Sequence, residues 1–190
     1  MGTLMLTILN RQYPVSDTVF LDACFLLDAH HGKDKRHLAA RLLWRALQAE
    51  VAKSNAVAYC SASVVEECLF VLPKIHHEDV NGKDSWKALS KTERSAAFRK
   101  HRPAQEKFLN ALTSQAWLCF VDCGGRHIQP AFREMKQRAL WPADAFHVAL
   151  ARDCGARCLV TNDQMLSRAL ASDPNIDPFD YATIDMTPPT

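Results

Sequence analysis

Residues 144–163, DAFHVALARDCGARCLVTND, are the stretch on which the fold turns. From Asp144 to about Cys154 the apolar residues recur at helical spacing, and Gly155 supplies the stop. RCLVT (157–161) then runs apolar, as a buried strand does. The segment begins and ends on aspartate, yet so apolar a run needs no second acid to fold. One carboxylate opens a helix and another lies just past the next strand, which raises the question of whether other segments bring acids to the same place.

The same alternation extends outward on the N-terminal side. TVFLD (18–22) is a short β-rich run, and residues 23–51 carry a helical period broken near Gly32, which predicts two helices. AVAYC (56–60) reads as a second strand, followed by a helix from Ser61 to about Leu72 that Pro73 closes off. AWLCFVD (116–122) is a third strand, and HIQPAFREMKQRAL and PADAFHVALARDC are helices. Parallel neighbours need crossover connections, which helices supply, so the pattern predicts an α/β fold with a mainly parallel sheet. Residues 74–102 depart from it. They are polar and basic, with Lys83, Lys87, Lys91, Arg94, Arg99, Lys100 and Arg102 around Trp86 and Phe98, before AQEKFLNALTSQ resumes an apolar-striped helix. There is no internal repeat.

At 190 residues, 48% hydrophobic and 23% charged, the chain suits one domain with a sizeable core and an insertion. A formal charge of +2 is too mild to mark a nucleic-acid binder by bulk charge. No stretch reaches the roughly 18 apolar residues of a membrane span, and the N-terminus lacks the pattern of a secretory leader, so a cytosolic (cytoplasmic) protein is expected. Seven cysteines scattered through apolar segments read as reduced thiols, since the CxxxC pairs Cys119/Cys123 and Cys154/Cys158 are wider than zinc knuckles use.

In a parallel α/β sheet ligands gather at the carboxyl ends of the strands, and the acids are placed for that edge. Asp22 ends the first strand, Glu66 and Glu67 sit early in the helix after the second, Asp144 lies in the first turn of its helix, and Asp163 follows RCLVT by two positions. Carboxylates crowded together repel unless a divalent cation neutralises them, and hard oxygen donors suit Mg²⁺ or Mn²⁺. Each acid also has a plain structural use. Asp144 complements the helix dipole, Asp163 makes a turn, and Glu66 forms a capping box with Ser63 in SVVE. Asp22 has the weakest such excuse. Asp28 is expected on an exposed helical face.

Taken in order, VFLDACFLL, CSASVVEECLF, PADAFHVALA and CLVTNDQML resemble the four acidic motifs of PIN-domain ribonucleases, the family that includes the VapC toxins of toxin–antitoxin pairs. The resemblance spans about residues 18–170 and implies a three-layer PIN-like fold, a central sheet flanked by helices, with a helical basic insertion at about 74–115 in a single domain of residues 1–190. It places the family's acids on Asp22, Glu67, Asp144 and Asp163, as metal-binding and catalytic residues, and its hydroxyl residue on Thr161. Cys24 stands where family members often carry Asn or Ser, and the basic segment is longer than in compact toxin-type members. Between the adjacent glutamates, Glu67 is preferred because an apolar residue, Cys68, follows it.

The implied chemistry is metal-assisted hydrolysis of RNA phosphodiesters by an endoribonuclease holding one or two Mg²⁺ or Mn²⁺ ions. RNA as substrate, an antitoxin protein and a second copy of the chain are the partners the resemblance suggests; no membrane is among them. His147, one turn after Asp144, is a candidate to touch substrate or to pack behind the site. Lys83, Lys87 and Lys91 are candidates to follow a phosphate backbone, with Trp86 or Phe98 stacking on a base; the alternative is a solvated helix with its aromatics turned inward. Two other classes stay open. One is an inactive PIN-fold scaffold or nucleic-acid-binding protein. The other is a small-molecule phosphohydrolase with nucleophilic Asp22, which would want Asp-x-Asp where the chain has DAC.

Overall fold

The two most apolar short runs become the central strands of the sheet. The structure, a computed structural model, describes residues 2–31 and 35–187. Its strands are β1 (Thr3–Ile8), β2 (Arg11–Ser16), β3 (Thr18–Leu21), β4 (Val57–Ser61), β5 (Leu118–Val121), β6 (Cys158–Thr161) and β7 (Asp177–Asp180). Its helices are α1 (Ala23–His30), α2 (Lys35–Ala52), α3 (Ala62–Asn81), α4 (Lys91–Lys100), α5 (Arg102–Thr113), α6 (Ile128–Arg138), α7 (Pro142–Asp153) and α8 (Gln164–Leu170). The break expected near Gly32 falls outside the described residues.

The chain divides into two units, one of Met1–Val64 with Trp117–Thr190 and one of Val65–Ala116. In the first, β3 to β7 form a parallel sheet in the order β5-β4-β3-β6-β7, flanked by helices, as the alternation of elements predicts. Val19, Phe20, Leu21, Leu159 and Val160 are fully buried, which is why β3 and β6 read as unbroken apolar runs. After β3 the chain adds β4 and β5 on one side, then returns to lay β6 and β7 on the other. The carboxyl ends of β3 and β6 are therefore the switch point, where open α/β sheets bind ligands.

Three strands escape the sequence reading. β1 and β2 form an antiparallel hairpin whose two-residue loop, Leu9–Asn10, has positive φ at both positions, 50° and 61°. That is the handedness tight hairpins require, but Leu-Asn lacks the usual glycine signal. β7, DPFD, carries a proline and two acids, and pairs only with β6 at the sheet edge.

The start and length of α3 also differ from expectation. The helix begins at Ala62, and Ser61 Oγ accepts the Val64 amide at 3.2 Å, so Ser61 is the cap and no Ser63–Glu66 capping box forms. Such a box occurs instead at Ser90 and Glu93, where α4 starts. Nor does Pro73 close α3, which continues to Asn81. A proline there deprives the Leu69 carbonyl of its helical donor, and the Gln105 side-chain amide donates to that oxygen at 2.6 Å.

Within the second unit Trp86 is buried, packing edge-on against Phe98 and His77, and Phe98 meets Phe70. Trp86 is thus a core residue of its unit, which overturns the stacking role. Lys83, Lys87 and Lys91 are exposed, and Lys87 pairs with Asp84 at 2.8 Å.

Candidate active site

Asp22 occupies the N-cap position of α1, yet its carboxylate caps nothing. An N-cap aspartate ordinarily accepts amides of the first helical turn. Here the Asp22 amide donates to the Val160 carbonyl at 3.1 Å, which carries the β3–β6 pairing one residue past β3 and fixes Asp22 at the switch point. Its side chain then turns to three partners. Thr161 Oγ1, at the end of β6, donates to Oδ2 at 2.7 Å, Cys24 Sγ donates to the same oxygen at 3.0 Å, and His147 Nδ1, on α7, lies 3.0 Å from Oδ1.

The residue is 5% exposed. Burial alone pushes its carboxyl up, but the hydrogen bond and charge of His147, with the Cys24 and Thr161 hydrogen bonds, outweigh burial and bring it down to about 2. Asp22 is an anion at neutral pH, and among the described residues no lysine or arginine pairs with it. Burial and the neighbouring Asp22 charge push the Cys24 thiol well up, which keeps it protonated and able to donate.

Asp163 joins this network through Thr161, whose Oγ1 accepts the Asp163 amide at 3.0 Å. Its own Oδ1 caps α8, accepting from Met165 and Leu166 at 2.7 and 2.9 Å. The turn role foreseen for Asp163 is therefore real, and it holds the carboxylate at the end of β6. Asp144 is half-buried in the first turn of α7, behind Pro142 and one turn before His147, so both lie on the same helical side. α7 is anchored at its far end by Gly155 (φ +72°), with Ala156 N donating to Ala151 O at 2.8 Å and Gly155 N to Arg152 O at 3.1 Å. This Schellman closure hands the chain straight into β6 and sets the spacing between Asp144 and Asp163.

His147 is 1% exposed, which overturns substrate contact and leaves it behind Asp22. Glu66 and Glu67 follow the start of α3, Glu66 exposed and Glu67 half-buried. Asp28 is not the exposed residue the helical period suggested. Its Oδ2 accepts from Tyr181 Oη at 2.7 Å and Asn162 Nδ2 at 3.1 Å, bracing the loop after β6. Only the Asp28 spacing from Asp22 was visible in the sequence; Tyr181, more than 150 positions away, was not.

Among the described residues no three His, Cys, Asp or Glu side chains converge as a finished metal cage does. The donor set nevertheless suits a hard divalent cation in kind, with Asp22 held ionised and oriented from behind and Asp163 held at the adjoining strand end.

No curated protein sequence matches the chain. Among solved structures it is similar to VapC20 of Mycobacterium tuberculosis, a sarcin-ricin loop cleaving toxin, with 19% identity and a TM-score of 0.53 over 80% of this chain and 94% of that one. It is also similar to VapBC2 of Rickettsia felis bound to a DNA fragment from its promoter, with 16% identity and a TM-score of 0.51 over 85% of this chain and 97% of that one. The PIN domain model matches residues 19–170. Most of the length is covered, from the strand that delivers Asp22 to the helix capped by Asp163, and the chain belongs to the PIN domain family.

Proposed function

We propose that the chain is a metal-dependent endoribonuclease, the toxin of a toxin–antitoxin pair, working as a single PIN domain of residues 1–190 with its core at about 18–170 and a helical insertion at about 74–115. The observation that carries the reading is Asp22, a buried carboxylate kept ionised at the sheet's switch point with no arginine or lysine among the described residues to cancel it. A purely structural acid in that position would cap α1 or meet a guanidinium. The family and the toxins of similar fold supply the substrate class.

Asp22, Asp144 and Asp163 would hold one or two Mg²⁺ or Mn²⁺ ions. Such an ion, when bound, lowers the pKa of a bound water and balances charge on the departing oxygen. The protein's own share is positional. His147, Thr161 and Cys24 hold the Asp22 carboxylate in one orientation, and the cap of α8 does the same for Asp163. Thr161 is a positioning residue in this reading, and Lys83, Lys87 and Lys91 are candidate phosphate contacts. The family resemblance assigns the family's glutamate to Glu67. Glu67→Gln is expected to reduce cleavage sharply while Glu66→Gln leaves it near wild type; the reverse result moves the assignment to Glu66. An antitoxin and a second copy of the chain are the proposed partners. Among the described residues no helix is long and apolar enough to cross a membrane, in keeping with the proposed cytoplasmic location.

The test sets a labelled RNA oligomer beside a small phosphate ester, each with Mg²⁺, with Mn²⁺ and with EDTA. Metal-dependent shortening of the RNA alone is the expected result. Release of phosphate from the ester would support a phosphohydrolase instead, and no reaction with either would leave a scaffold.

A further inference from the structure

Beside Asp144 lies a groove of about 380 Å³ that the chemistry above does not use. Trp141, Asp144, Met165 and Arg168 line it, with Leu140 and Arg138. It runs from the N-terminus of α7 along α8, so its two sides are the elements that carry Asp144 and the Asp163 cap. Trp141 is 67% exposed and Met165 59% exposed. With Leu140 they line one open groove, and it is contiguous apolar surface, rather than a single exposed side chain, that marks an interaction site.

The backbone commits itself to this arrangement. Ala139, between α6 and α7, adopts a left-handed conformation (φ 53°, ψ 34°) that alanine seldom takes. Its turn sends Leu140 inward, where it is buried, and Trp141 outward over the groove. The two arginines differ in kind. Arg138 is held by Glu134 and Asp173, each at 2.6 Å, whereas the exposed Arg168 has no side-chain hydrogen bond or ion pair among the described residues. An open indole, a thioether and one uncommitted guanidinium beside a carboxylate of the candidate site match an unpaired base and its phosphate.

We propose that this groove is a nucleotide subsite, in which Trp141 stacks on an unpaired base next to the scissile phosphate and Arg168 pairs with a backbone phosphate. The proposal deepens the ribonuclease reading and rests on it for the identity of the strand. Stacking on a π-face is tolerant of sequence, so the groove selects single-stranded substrate over duplex rather than one base over another.

The test measures binding, in EDTA, of a short fluorescent oligoribonucleotide to the whole chain, beside the same sequence as DNA and as duplex RNA. Trp141→Ala is expected to weaken single-strand binding by about tenfold or more, and Trp141→Phe by less, because a smaller ring still stacks. Arg168→Gln is expected to lower the log–log salt slope by about 0.7, the share of one phosphate contact on a single strand. Phe132→Ala, an exposed aromatic outside the groove, serves as the control and should change neither. Equal loss on DNA would widen the ligand to any single strand and still support the subsite. Unchanged binding by folded Trp141→Ala overturns it, and so does wild-type protein that binds no single strand. RNA cleavage by wild type with unchanged binding by Trp141→Ala removes the subsite and leaves the nuclease standing. Trp141-dependent binding without cleavage in Mg²⁺ or Mn²⁺ does the opposite.

Discussion

Asp22 and Asp173 are both carboxylates with almost no exposed side chain, and they are satisfied in opposite ways. Asp173 meets the guanidinium groups of Arg138 and Arg152, which also grip Glu134, and accepts the amides of Asn175 and Ile176. Two acids and two bases close on themselves, and no charge is left over. Asp22 meets a hydroxyl, a thiol and an imidazole that is charged only when protonated. Its orientation is fixed as firmly, but among the described residues no permanent cation cancels it. A buried acid with its own arginine serves the fold; one held ionised by polar groups at a ligand edge is poised for a cation from outside.

The largest expected effect falls on the Asp22 side. Asp144→Asn keeps side-chain shape beside the network but removes a charge, and cleavage should drop to about one thousandth or less, the scale on which charge-stabilising groups act. Its melting temperature in EDTA should match wild type. Saturating Mn²⁺ should raise the wild-type melting point, by about 2.7 kcal/mol of linkage at a hundred times Kd, and do little for the variant. Full cleavage by Asp144→Asn would place Asp144 with Asp173, among the structural acids.

Asp173→Asn should divide the other way. It strands two arginines against one remaining glutamate, and breaking such a cluster costs about 3 kcal/mol. Chemical denaturation reads that loss directly. Cleavage per folded molecule should stay at the wild-type level, and a matching fall in activity well below the melting point would erase the distinction.

Acid sharpens the contrast by a smaller amount. Burial pushes the Asp173 carboxyl up, but the Arg152 guanidinium and the Asn175 and Ile176 amides outweigh it, so it lies below its ordinary 3.8 in the folded protein. A depressed carboxyl contributes stability that is fully present above the unfolded value and is lost as pH falls through the folded one. Wild-type stability should therefore decline as pH falls below the ordinary carboxylate range, and Asp173→Asn should show a shallower acid limb. Parallel limbs would mean that Asp173 contributes nothing through its charge.

Much of this contrast is legible in the sequence, and the part that is not has physical causes. β3, β6 and α7 announce themselves because buried parallel strands are continuously apolar and a helix ends where Gly155 permits a left-handed turn. Asp22 stands out because it closes such a strand. The hairpin β1–β2 and the strand β7 are silent, since an edge strand is stabilised by its neighbour rather than by its own composition. Proline at 73 misleads because Gln105, 32 positions on, repairs the carbonyl it orphans. SVVE misleads because two serines compete for one cap, and the β4 end decides for Ser61. Apart from Cys24, the side chains that hold Asp22 and Asp28 lie well over a hundred positions away, and only folding brings them within reach.

The smallest expected effect concerns Cys24, the one soft atom among Asp22's partners. Its thiol donates to Asp22 Oδ2, lies 3.2 Å from Thr161 Oγ1 and accepts the Asn162 amide at 3.2 Å. It thus fills the place that the resemblance gives to a polar side chain, and ties the start of α1 to the loop after β6. Serine is shorter but a stronger donor and acceptor, so Cys24→Ser should keep both links, change stability by less than about 1 kcal/mol and leave cleavage within a few-fold of wild type. Alanine removes the atom. The Asn162 amide then loses its acceptor and Asp22 one of its three donors, and Cys24→Ala should cost about 1–2 kcal/mol and loosen the carboxylate that orients the site. Measured together, the pair separates contact from chemistry. If serine behaves like alanine, the thiol acts by filling volume, and Asp22 is held by Thr161 and His147 alone.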